Sequence, residues 1–431
     1  MSKTTHSTRQ TIDAGTLEGV TVGIVVQDNF PVDRQVRAKR IARTLDDKGS
    51  EVVVFARNTG SDPARGDIDE ETRPKTERLP YALVRRFSVL SSTPLFNVVT
   101  AAIPLNPAWI LWSVLVFSRH DVDVVVVCDL RTGISAGIAA KLLGLPVVLD
   151  LRENYVGLAK SLPAETLVDR LVQNERLIAA LERSTIRLAD LVWVVVEERR
   201  TQLVEEGVPA SKLVVVSNTP ELSPDDGLEE TMTVPSNEFD WPGFTLVYVG
   251  VLNEFRGLDL IVEAIAHLQH DDSDQPVHFA IAGDGPHRAQ LERRCRSLGI
   301  EDQVTFTGWI DAERVPEFLA SGDLGVIPHR ITPLTEQTVP NKLFDCMVAG
   351  LPVLTRDVTP IRRIVEAENC GWILPSDVTP EETAVQIRRL TTEDLESVGM
   401  NGRKAVENRY NWSRDAKRVT ESLARLHKQQ A

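Results

Sequence analysis

The short apolar runs of this chain constrain its fold most. TVGIVV (Thr21–Val26), DVVVVC (Asp123–Cys128), VVLD (Val147–Asp150) and LVWVVV (Leu191–Val196) are apolar at nearly every position, not at every second one. A strand with one wet face alternates, whereas a strand covered on both faces does not. Stretches with helical spacing separate these runs. One spans Asp33–Lys48 and is stopped by Gly49 as a C-cap. GISAGIAAKLLG is a second. A third runs from about Pro163, a residue suited to a first helical turn, to Ala189, and a fourth covers Glu197–Glu206. Val52–Phe55 and KLVVVSN complete the strands. The alternation predicts a parallel sheet with helices on both faces.

A second series of the same kind begins at FTLVYVGVL. Gly257–Gln269 is amphipathic, with Leu258, Ile261, Ile265 and Leu268 on one face. HFAIAGDGP is a strand running into a glycine-rich turn, followed by a helix over Arg288–Leu298. VTFTG, a helix from Ala312, LGVIP, PVLT and CGWIL continue the pattern. Between the two series, Thr219–Pro242 is rich in Pro, Ser and acids, a linker composition. At 431 residues the chain exceeds what one core usually serves. The expected class is α/β, with two tandem doubly wound, Rossmann-like domains. Such sheets bind ligands beyond the carboxyl ends of their strands, so two facing sheets would hold a ligand in the cleft between them.

A hydrophobic content of 42% and a charged content of 26% are globular values. The net charge of -14 argues against nucleic acid as a partner. Cys128, Cys295, Cys346 and Cys370 show no CxxC spacing, so neither a disulfide framework nor a clustered zinc site is expected. No HExxH or DxD pattern suggests a metal. The polar start, MSKTTHSTRQTIDAG, has no apolar core and reads as a disordered leader, not a signal peptide. A cytoplasmic protein fits these features. Val98–Phe117 is long enough to span a bilayer, but Pro104, Asn106 and Pro107 interrupt it. A buried helix over Ala108–Phe117 is the favoured reading. The alternative is a membrane-surface contact through 98–117 at the inner face, with Trp109 and Trp112 on one helical face and Arg85 and Arg86 upstream.

YVGVLNEFRGLDLIVEAIAHL, FAIAGDGP, VTFTGWIDAERVPEFLASGDLGVIP and PNKLFDCMVAGLPV, in this order and spacing, resemble the family 4 glycosyltransferases. DNFPVDRQVR, CDLRTGISAGIAAKLLGLPVVLDLRENYV and ADLVWVVVEERRTQLVEEGVPASKLVVVSN agree, as does the closing NRYNWSRDAKRVTESL. The resemblance covers nearly the whole chain and implies the GT-B fold. Residues 1–18 would be the leader and 19–218 an acceptor-binding domain. Residues 219–243 would be a linker and 244–404 a nucleotide-sugar-binding domain. Residues 405–431 would form a helix crossing back to the first domain. The resemblance also implies a retaining, metal-independent transfer. It implies no cofactor, because the nucleotide-sugar is the substrate.

One site argument stands without the family. In PNKLFD, Asn341 and Lys342 fall in the first turn of a helix. A lysine there opposes the helix dipole by ~0.3–1 kcal/mol, and a purely structural sequence would carry an acid instead. A diphosphate at that helix end would satisfy both the dipole and Lys342. By resemblance, Gly250 and the loop to Gly257 hold the donor diphosphate with Arg256, which can clamp phosphate bidentately. Val251 stands where a second basic residue is usual. Gly283 and Gly285 line the nucleotide, and Gly308 and Trp309 border the base. Asp345 faces the ribose hydroxyls, and Gln337 takes the place of a glutamate that contacts the donor sugar. Glu336, next to it, could substitute by a small shift. His329 follows a strand end and is read as structural or merely exposed.

In the first domain, Asp129 sits just past a strand, with Cys128 in a slot where the family has histidine. Arg152 replaces a second frequent histidine, beside Glu153. Asp129, Arg152 and Glu153 are therefore the catalytic candidates. Asp33 and Arg34 are placed on the acceptor side, although Asp33 fits an ordinary N-cap equally well. The reading is a retaining hexosyltransferase that uses a UDP-sugar, or else a GDP-sugar, on a glycan or lipid-linked acceptor. The rivals are a nucleotide-sugar epimerase of the same architecture and a catalytically weak partner subunit.

Overall fold

The structure is a computed structural model that describes residues 17–26, 36–56, 75–78, 107–161, 174–222, 239–269 and 275–430. Asp33 and Arg34, and the start of the helix expected from about Pro163, lie outside the described residues. The chain divides into two compact units. The first is Met1–Val195, Arg200–Val216 and Asp415–Ala431; the second is Val196–Arg199 and Ser217–Arg414.

The first unit holds strands β1 (Thr21–Val26), β2 (Glu51–Ala56), β3 (Lys75–Arg78), β4 (Val124–Val127), β5 (Val147–Leu151), β6 (Leu191–Val194) and β7 (Leu213–Val215). They form one sheet in the order β3-β2-β1-β4-β5-β6-β7, with every pairing parallel. Both faces are buried, which is why the strands read as continuous apolar runs. Val125, Val127, Leu149, Leu151, Val192 and Val194 pack on one face with Phe55 and Phe117. Trp193, fully buried on the other, donates its indole N–H to Ser422 Oγ at 3.0 Å. Ser422 belongs to the last helix, Trp412–Gln430. The strand order reverses between β1 and β4, the crevice where doubly wound sheets bind ligands.

The second unit holds β8 (Phe244–Val249), β9 (Val277–Ala282), β10 (Val304–Gly308), β11 (Leu324–Ile327), β12 (Val353–Arg356) and β13 (Gly371–Leu374). Their order is β10-β9-β8-β11-β12-β13, again parallel throughout. Alternate residues face two separate cores. Leu246, Tyr248, Phe279 and Ile281 join one, and Val247, Ala280 and Ala282 the other. Here the order reverses between β8 and β11.

The apolar runs place the buried strands but not β3, whose sequence is KTER. It is an edge strand, where charge is favoured over apolar content. The helix Pro380–Leu390 also escapes the strand-based reading, although its start is a capping box between Thr379 and Glu382. The Val98–Phe117 segment yields a helix over Pro107–Arg119. Its face differs from the surface-contact alternative: Trp109 and Trp112 are buried, and Leu111 and Leu115 are exposed. The two indoles lie 4.9 Å apart in the core beside Phe55, so they are packing residues. Among the described residues no helix is long and apolar enough to cross a membrane.

Candidate functional site

The second unit gathers most of the expected donor residues around its switch point. Two segments leave the sheet there. The first follows β8: Gly250, Val251, and a 3₁₀ turn over Glu254–Arg256 that ends at Gly257. The second follows β11: Pro328, His329 and Arg330. They are locked together, with Arg330 N–H donating to the Phe255 carbonyl at 2.9 Å. A Cβ on Gly257 would stand 2.0 Å from the Pro328 carbonyl oxygen, and its φ of 69° is left-handed, so only glycine fits. The turn after β9 joins the same group. Gly283, at φ 136°, has room for no Cβ against the Gly250 carbonyl, which would be 2.1 Å away. Leu252 N–H donates to the Asp284 carbonyl, and His287 N–H to the Leu252 carbonyl. Gly285 is closed by the Leu252 backbone in the same way.

Helix α1 of this site, Asn341–Val348, starts beside these loops. Pro340 is its N-cap and supplies no side-chain cap, so the first-turn N–H groups gain no side-chain acceptor from it. Asn341 is exposed and is the first helical residue. Lys342 is the second and is only 8% exposed. Its Nζ donates to the Tyr248 hydroxyl at 3.1 Å and lies 4.6 Å from that ring's centroid. The Tyr248 hydroxyl in turn donates to the Val251 carbonyl at 3.1 Å. No carboxylate lies within ion-pair distance of Lys342 among the described residues. Burial and then the Arg256 charge push its ammonium well below the ordinary lysine range, and Asp345 only partly opposes them. Asp345, one turn on, is half-buried.

Arg256 reaches the same place. Its Nη1 lies 3.1 Å from His329 Nε2. His329 is 2% exposed, and burial, then Arg256, then Lys342, push its pKa well below the ordinary value. It is therefore buried, which excludes the exposed alternative of the strand-end reading and leaves the structural one. Its part depends on contacts with Arg256 that local sequence does not encode. Tyr248 was missed for the same reason.

The remaining residues expected at the donor are placed as follows. Trp309 is 64% exposed, so it is free to stack on a ligand and is not a packing aromatic. Val251 is exposed where a basic residue is usual. Gln337 Oε1 accepts from Arg199 Nη1 at 3.3 Å. Glu336 accepts from the Thr359 backbone N–H at 3.1 Å and from its hydroxyl at 2.6 Å. Both its oxygens thus hold the first turn of the helix Thr359–Glu368.

In the first unit, Cys128 and Asp129 follow β4 at the reversal point of the sheet. Asp129, Arg152 and the half-buried Tyr155 are close enough to perturb one another. Burial first, and then the Asp129 charge, hold the Tyr155 hydroxyl well above its usual pKa. Arg152 is raised: burial works against it, and Tyr155, Cys128, Asp150 and Asp129 outweigh that. Cys128 is buried and its thiol is pushed far up by burial, so it is an inert thiol. Glu153 is exposed. Asp150, in the same quoted stretch, has a structural task. Arg37 donates to it through Nε at 2.9 Å and Nη2 at 2.7 Å, and through Nη2 to the Val216 carbonyl. The partners are 113 residues apart, and no sequence spacing signals the pair.

Residues 243–393 match the family model described as glycosyl transferases group 1, and residues 35–219 match the glycosyl transferase 4-like domain. The chain is 25% identical over 334 residues to a 2-deoxystreptamine glucosyltransferase from Streptomyces kanamyceticus, covering 75% of this chain and 82% of that one. It is 31% identical over 150 residues to an alpha-D-kanosaminyltransferase of the same organism, a match that spans only 37% of that relative and 35% of this chain. The structure of HepE from Anabaena, solved with UDP and glucose, superposes with a TM-score of 0.68 at 16% identity, over 94% of this chain and 100% of that one. The likeness at that identity establishes the fold. With both sheets, their order and both halves of the sequence in agreement, the chain belongs to the family 4 glycosyltransferases and has the GT-B fold.

Proposed function

We propose that the chain is a retaining glycosyltransferase that moves a hexosyl group from a UDP-sugar to a glycan or lipid-linked acceptor. One observation carries the donor half of this reading: Lys342 is buried in the first turn of a helix, with a neighbouring cation and, among the described residues, no carboxylate within ion-pair distance. That arrangement is costly for an empty protein and suited to a bound diphosphate. Arg256, Lys342 and the helix N-terminus would meet the charge that develops on the phosphate oxygen as the sugar leaves. This fits transfer without a metal ion. Asn341 adds a first-turn amide, Asp345 would accept from the ribose hydroxyls, and Trp309 would stack on the base. Gly250, Gly283 and Gly285 let the backbone approach the nucleotide. Gln337 would face the sugar. UDP is preferred to GDP because HepE, which shares the fold, was solved with UDP and glucose.

The acceptor is assigned to the first unit, with Asp129, Arg152 and Glu153 as its catalytic candidates and Asp33 and Arg34 on the acceptor side by resemblance alone. The departing phosphate would take the acceptor proton as the new glycosidic bond forms. A lipid-linked acceptor fits the apolar stripe Leu111 and Leu115, each more than 60% exposed, in place of the buried tryptophans. On this reading the protein works in the cytoplasm, peripheral to the membrane surface. Flotation with liposomes should be lost in Leu111→Ser/Leu115→Ser. A catalytically weak partner subunit is the second reading, favoured by the inert Cys128 and the exposed Val251.

A panel of UDP- and GDP-sugars tests the proposal. Slow nucleotide release from one UDP-sugar, abolished by Lys342→Ala, is expected, and NMR of the product should show the anomeric configuration of the donor retained. Absence of binding or turnover with every donor would remove the enzymatic reading and leave the subunit.

A further inference from the structure

His329 is a buried imidazole with one hydrogen-bond partner among the described residues. That partner is a guanidinium: Arg256 Nη1, 3.1 Å from His329 Nε2. A guanidinium can only donate, so Nε2 must accept, and a neutral ring then carries its proton on Nδ1. Nδ1–H has no partner among the described residues. The ring is 2% exposed, and its backbone is fixed because Pro328 and Arg330 are clamped by the Gly257 turn. The clamp sets Arg256 and His329 side by side at the switch point, within electrostatic reach of Lys342. The usual way to orient a buried arginine is a carboxylate, as Asp150 does for Arg37 in the first unit. An imidazole acceptor orients the guanidinium and adds no negative charge.

We propose that His329 is a positioning residue for the donor diphosphate. As a neutral acceptor it holds the Arg256 guanidinium toward the ligand, and its own Nδ1–H remains available to a phosphate oxygen. The proposal rests on the reading of this site as a nucleotide-sugar site and adds a residue to it. It also gives a reason for an imidazole at this position: a carboxylate would satisfy Arg256 equally well but repel the diphosphate.

Calorimetric titration of UDP and of inorganic pyrophosphate into the full chain tests this with three variants. His329→Gln keeps a neutral acceptor, His329→Asp keeps an acceptor but adds charge, and His329→Leu removes the acceptor. His329→Gln should bind within about threefold of the wild type. His329→Leu should bind about five- to tenfold more weakly, the equivalent of one lost hydrogen bond to a charged group. His329→Asp should be at least as weak as His329→Leu for both ligands, although its melting temperature should equal or exceed that of the wild type. A residue needed only for packing would give the opposite ranking, with affinity following stability. Should His329→Leu not fold, the Gln and Asp variants still decide the matter. If the wild type binds and His329→Asp binds as well, the positioning role is overturned and the donor site stands. If the wild type binds neither ligand, the donor-site reading is overturned and this role with it.

Discussion

Arg37 in the first unit and Lys342 in the second are equally buried, at 8% exposure each, but their surroundings differ. Arg37 meets Asp150 through two nitrogens and is raised: burial opposes its charge, but Asp150 more than compensates. Lys342 meets a phenol hydroxyl and a second cation, and its charge is disfavoured. Burying a charge is tolerated when a partner repays the desolvation. Arg37 has that partner inside the protein, so it holds the fold. Lys342 has only the partial opposition of Asp345 among the described residues, so a fuller counter-charge is proposed to arrive from outside. The contrast is the reason that Lys342, and not Arg37, is proposed to bind the donor, and it needs no reference to any relative.

Breaking the first pair should have the largest effect. Asp150→Ala leaves a buried guanidinium without its counter-charge and should cost about 3–5 kcal/mol in denaturant unfolding, if the variant folds at all. A cost below about 1 kcal/mol would mean that the pair is not what stabilises this end of the sheet. The second cation should behave in reverse. Lys342→Met removes a buried charge that has no ion-paired carboxylate among the described residues, and should raise the stability of the nucleotide-free protein by about 1–2 kcal/mol while removing nucleotide binding. Trp309→Ala should leave stability within about 0.5 kcal/mol, because the ring is exposed. It should weaken UDP binding by about 1–3 kcal/mol if the indole stacks on the base.

The smallest expected effect is a pH dependence at His329. Its folded pKa lies well below 6.5, with Arg256 and Lys342 facing it. The unfolded chain therefore binds a proton at this residue that the folded chain does not, wherever the pH is between the two values. Stability from this group is present above pH 6.5 and is lost as the pH falls below it. In urea unfolding between pH 7.5 and about 5.5, the wild type should lose roughly 1 kcal/mol more than His329→Gln. Parallel curves for the two proteins would show that His329 titrates normally.

The sequence carried part of this contrast. Lys342 is legible because a lysine in a first helical turn conflicts with a local rule, and local rules need no tertiary structure. The strands of both sheets are legible because burial on two faces leaves continuous apolar runs. Arg37 and Asp150 are not, since the pair is set by the fold and spans 113 residues. His329 and Tyr248 are likewise defined by what stands beside them. The face of the helix Pro107–Arg119 was also hidden. It is apolar almost all round, so spacing put Trp109 and Trp112 together but could not tell that they point inward, with Leu111 and Leu115 outward. Glu336 reads as a substitute ligand, and its hydrogen bonds to Thr359 are seen only in the fold.

The most direct test is the melting temperature of the wild type and of Lys342→Met with and without UDP. A ligand at about a hundred times its dissociation constant adds about 2.7 kcal/mol to the folded state. The account predicts a clear upward shift by UDP in the wild type and none in Lys342→Met, which should already melt higher without ligand. An equal UDP shift in both proteins, or a Lys342→Met variant that melts lower than the wild type without ligand, would contradict it.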